Sequence, residues 1–338
     1  MRAWRRSRTG SATTSYCSTL SETAIGSATT SPQAPAAGSP RSETTPPRSA
    51  WTGQLRLSVT TREGRSYAAR QFHEGALRIM RPHYLDDSGQ VTYTVINPGG
   101  AYFGADTYLM DVELAEGASL ALTTQSATKV YRTPQGPASQ HLNVRLGPGS
   151  VLEYIPDQLI VYRGGSYLQK TLVEMDPTAS LLLAEVVTPG WSPSGKSFAY
   201  DELRMRTEVR VLAPREEPHT TVARARRLVV DQLRIRPGEH EDVTGMGLME
   251  GNSHTGQLLI ADRRLDAVIY ERLTELVDAS RTHSGITRVD TGAVQGVRCV
   301  CIRSLAGSTE DIASLHRAVA DVLRREWRGQ DPVFLRKY

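Results

Sequence analysis

The sequence predicts a mainly β protein, a solenoid-like scaffold of stacked strands with two α-helices near the C terminus. Three observations carry the prediction. Apolar residues alternate from Trp51 onward, a weak repeat recurs about every 30 residues, and the apolar spacing turns helical in the last third.

Residues 1–50 stand apart from that body. They are rich in Ser, Thr, Ala and Pro, and set Arg2, Arg5, Arg6, Arg8, Arg41 and Arg48 against Glu22 and Glu43. Six minus two is +4, the formal charge of all 338 residues, so residues 51–338 are close to neutral. A tail with so little apolar area cannot offset its ordering entropy and is expected to be disordered. Its Arg- and Ser-rich, acid-poor makeup loosely matches a transit peptide, and a start codon placed too early is the competing reading. With the charge in the tail and no Lys/Arg stripe in the body, nucleic acid is not an expected partner. A membrane is not expected either, since no segment approaches the ~20 apolar residues that span one.

From Trp51, the stretches "LRLSVTTREGRSY", "VTYTVINPGG" and "TYLMDVELAEGASLALTTQ" read as strands broken by turn residues. Next, "VELAEGASLAL", "VRLGPGSVLEY" and "VEMDPTASLLLAE" share one frame: Val, a residue, Leu or Met, a turn, Ser, then an apolar strand. The shared serines are Ser119, Ser150 and Ser180. Units of this kind bury their apolar faces by stacking on one another. An ordinary β-sandwich, which also spaces its turns regularly, is the alternative. Residues 262–279, "DRRLDAVIYERLTELVDA", then place Leu265, Ile269, Leu273 and Val277 at four-residue steps, one stripe of a helix. "ITRVDTGAVQGVRCVCIRS" returns to strand alternation, and residues 311–327, "DIASLHRAVADVLRREW", form a second amphipathic helix. Helices placed late on a β body are expected to cover an exposed sheet edge. Among the cysteines, Cys17 falls in the tail, while Cys299 and Cys301 are too close for a C-x-x-C site and would share one face of a strand. A reduced, cytoplasmic protein is the simplest reading.

Few residues point to catalysis. The run Asn97–Tyr108, "NPGGAYFGADTY", has neither G-x-G-x-x-G spacing nor a Lys after its last glycine, and Asp106 would repel a phosphate. None of the eight histidines forms an H-x-H, H-x-x-H or H-E-x-x-H pair. "GNSHTG" lacks the final glycine of a nucleophile elbow, so Ser253 and His254 are expected in a polar turn, with a hydrolase as the minority reading. "HED" at 240–242 reads as a solvated loop.

One constellation remains. Each repeat sets polar residues soon after its serine, where a strand should be apolar: Thr123, Thr124, Gln125 and Lys129, then Glu153, Asp157 and Gln158, then Glu185. If the units stack in the serine frame, these groups share one internal region, where they must be paired, hydrated or functional. Scattered polar residues on strand edges would account for the same pattern.

At these residues the chain becomes recognisable. "NPGGAYFGAD", "TTQSATKVYRT", "LEYIPDQLIVYRGG" and "LLLAEVVTPGW", in this order and spacing, resemble the UreD (UreH) family of urease accessory proteins from about Trp51 to the end. The resemblance implies a non-enzymatic, all-β helical scaffold with late helices. It implies partners too: urease apoprotein, the helical protein UreF and, through UreF, the GTPase UreG. It further implies delivery of Ni²⁺ into urease with no resident cofactor or stably bound metal, by one proposal through a water-filled passage. Asp106, Gln125, Lys129, Glu153, Asp157, Gln158 and Glu185 are then the expected lining, with Lys129 and Arg132 serving as internal partners of the acids or as urease contacts. A module that only docks partners is the alternative. Two departures from the family stand out: Lys196 in "SGKSF" where an acid is usual, and "PVFLRKY" at the end where relatives tend to "PRIW".

Overall fold

Alternation between apolar and polar positions builds the first strands as expected. In a computed structural model, β1 (Gly53–Arg62) and β2 (Arg65–Gly75) form an antiparallel pair, and β3 (Arg78–Ile79) pairs with β4 (Val91–Ile96). Residues 51–213, 225–240, 242–289 and 294–333 are described. The tail with Cys17, Glu241 of "HED", and Phe334–Tyr338 lie outside the described residues.

The chain then winds between two sheets. Its strands are β5 (Thr107–Leu114), β6 (Ser119–Thr124), β7 (Thr128–Val130), β8 (Ala138–Leu146), β9 (Val151–Tyr154), β10 (Leu159–Val161), β11 (Ser166–Met175), β12 (Ser180–Val187) and β13 (Glu202–Leu212). β14 (Ala225–Ile235), β15 (His254–Asp262), β16 (His283–Arg288) and β17 (Arg298–Ala306) complete the sheets. The first sheet runs β14-β13-β11-β8-β5-β1-β2, the second β16-β17-β15-β12-β9-β6-β4-β3. Within them β1, β5, β8, β11 and β13 are mutually parallel, as are β4, β6, β9 and β12. Successive strands alternating between parallel sheets make a β-solenoid, flanked on both sides by antiparallel strands. Leu57, Val112, Leu142 and Val173 of one sheet and Leu120, Leu152, Leu183 and Leu259 of the other belong to one buried cluster.

The repeat's serine frame is not the structural register. Ser119 and Ser180 both lie beside Val151, so Ser150 falls one position out of step. The cause is a turn one residue shorter: Val112 to Ser119 and Val173 to Ser180 span seven positions, Val144 to Ser150 six. Because side chains alternate faces along a strand, a slip of one exchanges inside for outside.

The helices are α1 (Ala267–Ala279) and α2 (Thr309–Arg328). Asp266 caps the first, its carboxylate accepting from Ile269 N–H at 2.9 Å, and Ser308 caps the second by accepting from Asp311 N–H at 3.2 Å. Gly329 ends α2 in the left-handed region at φ 60°. The stripe Leu265, Ile269, Leu273 and Val277 is buried, as is Ile312, Leu315, Val319 and Leu323 of α2. Both stripes pack against Leu182, Ala184, Leu258, Ile260, Val300 and Ile302 on the outer face of the second sheet. The helices therefore cover a face, not an edge, because the long apolar rows of β12, β15 and β17 need covering on both sides.

Candidate functional site: a polar tract between the sheets

The residues expected to line one region fall into three places. Glu185 points between the sheets. Its carboxylate accepts from Nε2 of Gln169 at 2.5 Å, and burial pushes its pKa up to about 7, against the opposing pull of that hydrogen bond. Glu153 sits on a neighbouring strand but faces the other way. It is 3% exposed and bonds Arg324 and Arg328, one turn apart on α2. Its partner in β12 is Leu182, three residues from Glu185, so the two acids cannot share a face.

Asp157 and Gln158 line the same outer cavity as Glu153, a space of about 450 Å³ that also includes His316 and Arg324. Asp157 is tied to Thr124, whose hydroxyl accepts from Asp157 N–H at 2.9 Å. Buried against β15, the His316 imidazole has its pKa lowered to about 4. Asp106 closes its own turn: it accepts from Phe103 N–H at 2.8 Å, Tyr108 O–H at 3.1 Å and Thr52 O–H at 3.3 Å. The backbone before it is tight, with Ala105 at φ 62°, in the left-handed region that favours glycine. Glu153, Asp157 and Gln158 thus form a group under α2, and Asp106 is a turn residue. Of the expected set only Lys129, half-buried, and Glu185 remain along the interior, while Gln125 is exposed at the rim of a small cavity.

The interior holds polar residues the sequence reading passed over. Tyr108, Gln140, Gln169 and Met205 are lateral neighbours on the first sheet. Tyr102 O–H donates to Gln140 at 2.7 Å, Tyr167 O–H donates to Gln169 at 3.0 Å, and the rings of Tyr102 and Tyr108 stack at 3.6 Å. Gly53 lies beside Tyr108 and has to be glycine, since a Cβ there would meet the Tyr108 ring at 2.8 Å. Burial raises the phenol pKa values of Tyr102, Tyr154 and Tyr167, and the nearby Glu185 carboxylate adds to the effect on Tyr154 and Tyr167.

Each end of this succession opens into a cavity. One, of about 50 Å³, is lined by Tyr102, Gln125, Lys129, Gln140 and Tyr154. The other, of about 420 Å³, is lined by Glu185, Asp231, Gln257 and Arg303, with Glu250 and His283 further out. Arg303 of β17 pairs with Asp231 of β14 and so joins the two sheets across the wide end. Nε2 of Gln257, directly opposite Glu185 in the ladder, is a buried donor with no partner among the described residues. A tract of amides and phenols, with the Glu185 carboxylate and an Asp231 carboxylate already paired to Arg303, can bind water or a passing cation weakly at several points. Lys196 is exposed on a surface turn and does not face this tract.

Two other predicted features resolve simply. Ser253 Oγ lies 2.8 Å from Nδ1 of the next residue, His254, a local contact at the start of β15. Cys299 and Cys301 are buried on the inner face, their thiols pushed up to about 12 and about 11 by burial. Outside, Glu208 is held down at about 2 by Arg210, Arg227 and Arg206 on the solvent face of the first sheet. No helix among the described residues is long and apolar enough to cross a membrane.

The fold is a parallel β-solenoid with covering helices and a polar interior, and among the described residues no three His, Cys, Asp or Glu side chains cluster as metal ligands. The family model described as UreD urease accessory protein matches residues 52–337. The chain belongs to the UreD family of urease accessory proteins. Relatives carrying the name urease accessory protein UreD include one from Kocuria rhizophila, 66% identical with 85% of this chain and 90% of the relative covered. Others come from Arthrobacter sp. strain FB24, at 51% with 85% and 94% covered, and Actinomyces naeslundii, at 45% with 85% and 99% covered.

Proposed function

We propose that the protein is a non-catalytic scaffold of urease maturation that passes Ni²⁺ toward the urease apoprotein along the polar tract, while binding UreF and, through it, UreG. The observation behind this reading is the succession from Gln125, exposed at the rim, and Lys129 inward through Tyr102, Gln140 and Gln169 to Glu185 and then Asp231 and Gln257. A divalent cation entering a β interior needs oxygen ligands in place of its water. Those ligands have to be weak and several, so that the ion can leave each one. Amides and phenols meet that need, and Glu185 supplies a carboxylate without an ion-pair partner among the described residues, whereas Asp231 is paired with Arg303. At the wide end the Asp231 carboxylate is taken up by Arg303, so a cation reaches that carboxylate only by displacing the guanidinium. Buried thiols at Cys299 and Cys301 fit a cytoplasmic setting.

Glu185→Gln removes the charge and keeps the shape. Urease purified from cells carrying this variant in limiting nickel is expected to contain several-fold less nickel by mass spectrometry, with the accessory complex still formed on gel filtration. Undiminished nickel would favour the second reading, a module that only docks partners. One observation favours that reading: Tyr102, Tyr154 and Tyr167 stand between the two cavities. Full nickel loading of urease in a strain lacking this protein would end both.

A further inference from the structure

Between the two sheets, each coil turns a corner through a short third side, and the corners line up. Tyr102 bridges Val130, Val130 pairs with Val161, and Tyr162 bridges Trp191. Phe103, Tyr131, Tyr162 and Trp191 therefore stand level on four consecutive coils. Their rings touch in series, with centroids 5.5, 4.6 and 5.0 Å apart. Yet the row faces water: Phe103 is 48% exposed, Tyr131 37% and Trp191 51%. One position further along, two coils carry Arg132 and Arg163, both exposed. Arg132 lies across Gly164, so the two side chains share one small area. Neither arginine takes part in an ion pair among the described residues, where nineteen such pairs occur.

Ring pairs of this kind steady neighbouring strands, but a contiguous row that stays this exposed also keeps apolar area in water, the mark of an interaction site. Tyr, Trp and Arg are also the side chains that dominate binding energy at protein interfaces. Parallel strands put neighbouring coils about 4.8 Å apart, so the two guanidiniums are near enough for one carboxylate to bond both. A nucleic acid would also supply anions, but the charge excess of the chain lies in residues 1–50 and not in this body.

We infer that this aromatic–arginine row is the docking surface for a carboxylate-bearing face of the urease apoprotein, the protein that the relatives' own name supplies. The inference rests on the maturation reading above. The apoprotein's carboxylate sits between Arg132 and Arg163, and its apolar side chains cover the rings of Tyr131 and Trp191.

The test uses the full chain, purified and immobilised, with purified urease apoprotein as the probe in biolayer interferometry. Two double variants are compared: Tyr131→Ser with Trp191→Ser, and Arg132→Glu with Arg163→Glu. Each is expected to weaken binding about tenfold or more, and the charge reversal to abolish the acceleration of association at low salt. Should the ring variant fail to fold by circular dichroism, the arginine variant decides alone, since its side chains lie in solvent. Folded variants that bind within twofold of the parent would overturn the assignment and leave the maturation reading intact. A parent chain that does not bind apoprotein overturns the assignment as well, whereas the maturation reading is judged separately by the nickel content of urease in the deletion strain.

Discussion

Glu153 and Glu185 stand in adjacent strands of one sheet and point to opposite sides of it, the first into a pair of arginines and the second into the space between the sheets. The two acids therefore do different work. Glu153 pins α2 to the solenoid, while Glu185 is a charged point of the polar tract.

Breaking the first arrangement should cost stability. Glu153→Gln leaves Arg324, itself 6% exposed, with only the more exposed Asp321, 3.2 Å away, as counter-charge. The expected loss is up to about 3 kcal/mol, the low end for breaking a buried pair, read as a lower urea midpoint. Replacing Glu153 by Leu together with Arg324 and Arg328 by Met should recover most of it, since an apolar set of similar volume needs no desolvated charge.

Glu185 gives the folded state a pH dependence of known sign. Its pKa is raised from 4.5 to about 7, so between these values the folded state holds a proton that the unfolded state has released. Stability from this group is therefore full below about pH 4.5, falls as pH rises, and is lowest above about 7. The penalty approaches roughly 3 kcal/mol at most. Glu185→Gln should remove that slope and be more stable than the parent at pH 8 in urea titrations, even while urease receives less nickel. In the parent, nickel transfer should strengthen as pH passes upward through about 7, when the carboxylate becomes charged.

Gly256 marks the closest approach of α2 to the sheet. A Cβ added there would run into the Ile312 side chain, with the His316 ring 3.4 Å away. Gly256→Ala should destabilise by about 1–3 kcal/mol through overpacking. A thermal melt would register this as a lower Tm, with the β signal of the native state unchanged below the transition.

Much of the fold could be read in the chain by itself. Alternation from Trp51 and the 30-residue recurrence of Val–x–Leu/Met, turn and Ser specify a stacked β body, because period-two burial and self-similar units are local properties. The stripe Leu265–Val277 and the amphipathic run at 311–327 likewise announced two helices. The polar interior was legible only in part. Glu185 was found because a carboxylate in "LLLAEVV" breaks an apolar run. Gln140 and Gln169 were missed because they sit in strands that alternate polar and apolar residues normally, with nothing to show which polar positions face inward. Counting from the repeat's valine rather than its serine would have exposed the shorter turn before Ser150 and put Glu153 on the opposite face.

The sequence by itself determined the class of body, its two late helices and the family to which the chain belongs. Tertiary structure alone decided which acids meet. Face assignment depends on register between strands some 30 residues apart, and one residue fewer in a turn reverses it. Likewise only the winding of the chain brought Arg324 and Arg328 to Glu153, Arg303 to Asp231, and four rings into one row.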